Sequence, residues 1–198
     1  NKAHGPEEAG DARQDGQPYV ISEFSSEGRM ASAMRMFPKI AGFVKIDLVD
    51  QEWERFTPLT YTRALRPLPF IDADFNPLGE EMEHSLDAVA IDAPPVNFYA
   101  PGTALSAPLV VASFHRSLRD VPITLHVRWS LVTGDGRDAP VLLKEQRIPV
   151  SVPPFSVKRL GPFEVEAPAT RGTIYLFAWL ERDGVVTARG YCEWKGGW

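Results

Sequence analysis

From Ala88 to Trp198 the chain reads as strand after strand, and this constrains the fold more than any other feature. Short apolar, β-branched runs fall at Ala88–Asp92, Val96–Ala100, Pro108–His115, Ile123–Leu131, Val141–Val150, Ser156–Phe163, Gly172–Arg182 and Val185–Trp194. Turn signals separate them: Pro101-Gly102, Gly134-Asp-Gly136, Pro153-Pro154, Pro168 and Asp183-Gly184. The two runs around Asp183-Gly184 have the pattern of a tight hairpin. Strands so short, so many and so evenly punctuated predict an immunoglobulin-like antiparallel β-sandwich. The 18 prolines and 15 glycines suit such a chain and are too many for a helical bundle.

Upstream the pattern differs. Asn1–Gln17 is polar, with neither the basic nor the apolar region of a signal peptide, and reads as a loop. Pro18–Phe24 has the look of a buried strand. Gly28–Pro38 spaces Met30, Met34 and Phe37 as a helix would, and Pro38 stops the run. Ile40–Val49 is a second strand. Strand, short helix and strand imply a parallel βαβ unit. Two parallel strands need cover on both faces, so this part is expected to belong to a larger domain with a portion lying N-terminal to Asn1. Asp50–Asp87 is a long connection rich in proline, aromatic and acidic residues, including Trp53, Phe56, Tyr61, Phe70 and Phe75.

Several function classes are disfavoured. The formal charge is −5, with no basic stripe to track a phosphate backbone, so no nucleic-acid partner is expected. No apolar run approaches the ~20 residues of a bilayer span, so no membrane partner is expected. The single cysteine, Cys192, forbids an intrachain disulfide and reads as a small buried apolar residue. His4, His84, His115 and His126 are scattered without ligand spacing, so neither metal nor cofactor is expected. His126 alternates with apolar neighbours and belongs on the outer face of its strand. Trp129 and Trp179 read as core.

Two motifs carry a resemblance. Pro18-Tyr-Val-Ile-Ser-Glu-Phe24 is similar to the seventh barrel strand of retaining glycoside hydrolases of family 2, the β-galactosidase and β-glucuronidase family. Ile40-Ala-Gly-Phe-Val-Lys-Ile-Asp-Leu-Val-Asp-Gln-Glu-Trp-Glu54 resembles the eighth strand and its following loop. The matching positions are Gly42, Val44, Asp50, Glu52, Trp53, Glu54, Tyr61 and Arg63. The motifs cover under a quarter of the chain. Thr62 departs from the family's usual Asp, and Lys45 and Ile46 lie where relatives carry an aromatic sugar platform. The family's acid/base glutamate follows an asparagine on the fourth barrel strand, and no Asn-Glu pair occurs in this sequence.

The resemblance implies the end of a (β/α)8 barrel over 18–75, a linker over 76–87 and a trailing β-sandwich over 88–198, after a polar loop over 1–17. It implies double-displacement hydrolysis of glycosidic bonds, with Glu23 as nucleophile and the acid/base glutamate outside this chain. The partners would be a carbohydrate substrate and the N-terminal portion of the barrel. Glu23 ends an apolar strand before a Ser-Ser turn, where barrel enzymes place catalytic groups; a plain strand-end carboxylate has the same appearance. Trp53 suits stacking on a sugar face, or plugging the junction between barrel and sandwich. Asp47 and Glu54 suit sugar hydroxyls, or salt bridges and caps beside Arg55 and Arg63. Lys45 suits a substrate carboxylate, or Asp47 or Glu23 as its partner. The alternative is a non-catalytic carbohydrate-binding or structural sandwich module.

Overall fold

A computed structural model describes residues 19–24, 35–37, 40–45, 71–76, 85–94, 96–115, 121–133 and 139–196. The chain divides into two compact units, Asn1–His84 and Ser85–Trp198.

In the first unit, β1 (Tyr19–Phe24) and β2 (Ile40–Lys45) pair in parallel. Their Cα partners are Tyr19 with Ile40, Val20 with Gly42, Ile21 with Phe43, and Phe24 with Lys45. Three steps along β1, from Ile21 to Phe24, thus oppose two along β2. The parallel pairing agrees with the strand–connection–strand reading of Pro18–Val49. The helix expected over Gly28–Pro38 lies outside the described residues except at 35–37, where the chain turns. Of the barrel end expected over 18–75, the described residues show a two-stranded parallel sheet and no barrel.

The second unit is a two-layer β-sandwich. Its strands are β3 (Asp87–Ile91), β4 (Val96–Tyr99), β5 (Ala104–Ser113), β6 (Val121–Val132), β7 (Val141–Val152), β8 (Ser156–Glu166), β9 (Thr173–Arg182) and β10 (Val185–Gly196). One sheet runs β4-β10-β9-β6-β7 and the other β3-β5-β8. Each expected strand is present, several longer by a few residues. One pairing departs from expectation: β4 joins β10 in parallel, through Val96 with Glu193 to Tyr99 with Gly196. Strand pairing depends on where a distant segment docks, which local alternation does not encode.

The core follows the two-residue period. Ile123, Leu125, Val127, Trp129 and Leu131 of β6 point inward with Ile174, Leu176, Ala178 and Leu180 of β9. Val89, Leu105, Ala107, Leu109 and Val111 meet them from the smaller sheet. Trp129 is 1% exposed and packs on Trp194, with ring centroids 4.9 Å apart. Cys192 is buried in the same cluster as a free thiol.

Geometry favours glycine at the β9–β10 turn and inside β10. The β9–β10 hairpin turns through Asp183 (φ 52°) and Gly184 (φ 78°), both left-handed, as a type I′ turn demands. A Cβ on Gly190 would lie 3.0 Å from the Val89 carbonyl oxygen, so its absence lets β10 approach β3.

The sandwich closes its own core, whereas a parallel strand pair needs cover on both faces. Ser85–Trp198 produced alone is expected to unfold in one cooperative transition. Asn1–His84 produced alone is expected to show none. Calorimetry with near-UV circular dichroism checks both, and a cooperative melt of the shorter piece would contradict the account.

Candidate functional site

The sequence-derived candidates are met first on the β1–β2 pair. Glu23 is the penultimate residue of β1 and Lys45 the last of β2. Because the strands are parallel, both residues stand at the same, C-terminal end of the pair. Glu23 also falls inside the irregular step between Ile21 and Phe24. An extra residue in one strand bends it and re-aims a side chain, and such bulges recur beside active sites. Asp47, Trp53 and Glu54 lie outside the described residues, as do Asp50, Glu52, Tyr61 and Arg63.

The sandwich holds a polar centre that the sequence reading did not single out. Asp87, the first residue of β3, is wholly buried. Its carboxylate accepts hydrogen bonds from Arg182 Nη2 at 2.7 Å, Arg182 Nε at 3.0 Å, Thr187 Oγ1 at 2.9 Å and Ser113 Oγ at 3.0 Å. Its own N–H donates to Ser85 Oγ at 3.2 Å. Arg182 and Thr187 flank the hairpin of the larger sheet, while Asp87 and Ser113 belong to the smaller one. The bidentate Arg182 pair therefore spans the two layers. Burial pushes the Asp87 carboxyl up, but the donors from Arg182, Thr187 and Ser113, with the Arg182 charge, outweigh it and hold the group below its ordinary value.

His115 Nε2 stands 3.6 Å from Asp87 Oδ1. A serine, a histidine and an aspartate thus meet, but in an order useless for nucleophilic catalysis. Ser113 Oγ donates to the Asp87 carboxylate, whose proton affinity is held down by Arg182, rather than to the imidazole. The cluster ties layers together. Its signal in the sequence was thin: one acidic residue opening an apolar strand, with Ser113 26, Arg182 95 and Thr187 100 residues further along the chain.

The outer face of the larger sheet carries a second group. His126 is on this face, as its alternation predicted, yet is only 4% exposed. It stacks on Trp179, centroids 4.7 Å apart and planes 9° from parallel. This corrects the core assignment of Trp179: its register partner is His126, and both alternate with the inward residues of their strands. A bulky aromatic in an apolar strand suits either face, so composition does not choose. Arg128 Cζ lies 5.3 Å from the Trp179 ring and its Nε 3.5 Å from Glu145 Oε2. His126 Nε2 is 3.2 Å from Glu181 Oε2 but is not aligned as a hydrogen bond. Tyr175, Phe177 and Tyr191 continue the face as a ring cluster with centroids 5.7–6.2 Å apart. No group of three metal-ligating side chains occurs among the described residues. Nor is any helix among them long and apolar enough to cross a membrane.

No protein-family profile and no curated protein matches the chain. Solved structures match parts of the chain at low similarity. A CARDB domain from Pyrococcus furiosus is 17% identical, with 56% of this chain covering 94% of that one at a TM-score of 0.38. A β-galactosidase described as putative, from Bacteroides fragilis, is 9% identical, with 57% covering 16% at 0.36. A mutant β-glucosidase from Listeria innocua, in complex with laminaribiose, is 13% identical, with 75% covering 20% at 0.40. Likenesses of this size do not separate a glycosidase appendage from a free-standing sandwich domain. The fold is a β-sandwich preceded in sequence by a parallel strand pair.

Removing the Asp87 charge should strand Arg182 in a buried site. Asp87→Asn is expected to lower stability at neutral pH by about 3–5 kcal/mol, the scale for breaking one partner of a buried pair. The sign with pH follows from the lowered carboxyl. Its contribution is complete above the unfolded value near 3.8 and is lost as pH falls through the folded value beneath it. Denaturant melts of both proteins should therefore converge as pH drops below about 4. A constant gap down to the acid limit would contradict the assignment.

Proposed function

We propose that this chain is the C-terminal portion of a retaining β-glycosidase, with Glu23 as its nucleophile. One observation carries the reading: Glu23 occupies a strand irregularity at the C-terminal end of one of two adjacent parallel strands. The residues at that place are those resembling the seventh and eighth strands of a family 2 glycoside hydrolase barrel. Barrel enzymes assemble their sites from this end of their strands.

Chemistry then assigns the roles. A retaining enzyme needs two carboxyl groups about 5–5.5 Å apart. The Glu23 carboxylate attacks the anomeric carbon. The bond to the aglycone oxygen breaks, and that oxygen takes a proton from a second carboxyl group. Water, deprotonated by the same second group, then cleaves the glycosyl ester and releases Glu23. The second carboxyl belongs to the barrel portion N-terminal to this chain, which is the partner the reading requires. Trp53 would stack on the sugar, and Asp47 and Glu54 would receive its hydroxyls. Lys45 would pair a carboxylate of the substrate. The sandwich would serve as a trailing domain braced by its own core.

A second reading has its own support: the sandwich encloses a complete core and carries aromatic and charged side chains on one outer face. It would then be a carbohydrate-binding or structural module.

A mechanism-based 2-fluoroglycoside, applied to the parent protein with its barrel, followed by peptide mapping, decides between them. Glu23 is expected to carry the label. Glu23→Gln is expected to cut turnover by roughly 10³-fold or more while leaving the melting temperature in place. Labelling of another residue would remove Glu23 from the role.

A further inference from the structure

We propose that the open edge of β7 is a self-complementary docking strand, and that its partner is the same edge of a second copy of this chain. β7 closes one side of the larger sheet, where β6 is its neighbour and no described strand lies beyond it. The edge is accessible. The Arg147 side chain is 72% exposed, and Val141 and Leu142 at the start of the strand are 50% and 56% exposed.

Two prolines show which way the backbone groups of β7 face, because proline has no N–H to give a ladder. In the β6–β7 register Pro122 lies opposite Ser151 and Pro149 opposite Thr124. Both pairs belong to the same alternate set as His126 with Arg147 and Arg128 with Glu145. The bonds to β6 therefore fall on the other set, Leu125 with Ile148 and Val127 with Gln146. The Ser151 carbonyl agrees with this direction, since it accepts from Lys158 Nζ of β8 at 3.2 Å. Glu145 and Arg147 are thus left with their N–H and C=O groups on the open edge, where no described strand takes them.

The stretch able to pair is bounded. At one end Leu143 is an extra residue, since Trp129 faces Lys144 and Ser130 faces Leu142. At the other end stands Pro149. These two interruptions are equidistant from Gln146. An antiparallel copy centred on Gln146 therefore sets Lys144–Ile148 against its own inverse. Glu145 then faces Arg147 of the second copy, and Arg147 faces its Glu145. Each pair exchanges both of its backbone bonds and sets opposite charges on one face of the joined sheet. Centring on Glu145 or on Arg147 would instead set like charges opposite each other. Within one chain Arg147 comes only to 3.9 Å from Glu145, so its guanidinium is not committed there. Charges and proline usually guard an edge against pairing. Here the charges have both signs and stand two residues apart, which suits one partner, an inverted copy. The paired stretch is short, so association is expected to depend on concentration.

The inference stands apart from the role of Glu23. Its test is sedimentation of the full-length protein over a range of concentrations. The wild type is expected to approach twice the monomer mass as concentration rises. Arg147→Glu sets two carboxylates face to face and should raise the dissociation constant by roughly tenfold or more. Glu145→Arg should do the same by setting two guanidinium groups face to face. Mixing the two variants restores both opposite-charge pairs, so the mixture should associate where neither variant pairs with itself. Thermal melts check that each variant is folded. If Glu145→Arg, which also loses the contact with Arg128, does not fold, amide exchange on the wild type takes the place of the mixture. The Glu145 and Arg147 N–H groups should then gain protection as concentration rises. A wild type that stays monomeric would overturn the inference. So would a dimer indifferent to Arg147→Glu, a mixture of folded variants that does not associate, or exchange at Glu145 and Arg147 that ignores concentration.

Discussion

A carboxylate taken wholly out of water must be met by charge and donors, and at Asp87 that requirement joins the two sheets of the sandwich. Dispersion and burial hold the layers together without choosing their register, since apolar contacts are non-directional. The forked bond from Arg182, reinforced by Thr187 and Ser113, has a direction and a length. It places the first residue of β3 against the β9–β10 hairpin, next to the point where Gly190 lets the strands approach. The pair also stands where the sandwich begins in sequence, so whatever precedes Ser85 is attached to a pinned strand end.

The outer face shows the reverse economy. A two-layer sandwich should leave one side of each sheet to water. Here that side of the larger sheet carries His126 on Trp179, Arg128 beside them, and the rings of Tyr175, Phe177 and Tyr191. His126 and Phe177 are as buried as core residues. Stacking and cation–π contacts offset part of what it costs to bury these polar groups. The strand pair upstream works by geometry alone: parallel direction and an irregular step bring Glu23 and Lys45 to one end.

Much of this was legible beforehand because it is local. The hairpin at Asp183-Gly184 follows from residues that tolerate left-handed backbone. The inward sets on β6 and β9 follow from alternation, as does the outer placement of His126. The parallel pairing of β1 with β2 was readable from the strand–helix–strand pattern of Pro18–Val49. Trp179 was not readable, because an aromatic ring fits either side of a strand and only its neighbours across the sheet decide. Asp87 was not readable either, since a strand-opening acid announces nothing until Arg182 and Thr187 arrive from far along the chain. For the candidate site, Glu23 and Lys45 were visible as residues, while their common end was a matter of pairing.

By itself, then, the sequence determined the strands, their turns, their apolar faces and the residue types available for chemistry, because each depends on neighbours a few positions away. Only the tertiary structure decided the parallel docking of β4 on β10, the buried Asp87–Arg182 pair between layers, and the parallel register of β1 with β2. Those depend on segments distant in the chain meeting in space. The free energy that selects such meetings comes from burial and paired charge summed over the whole fold, and no short stretch of residues contains it.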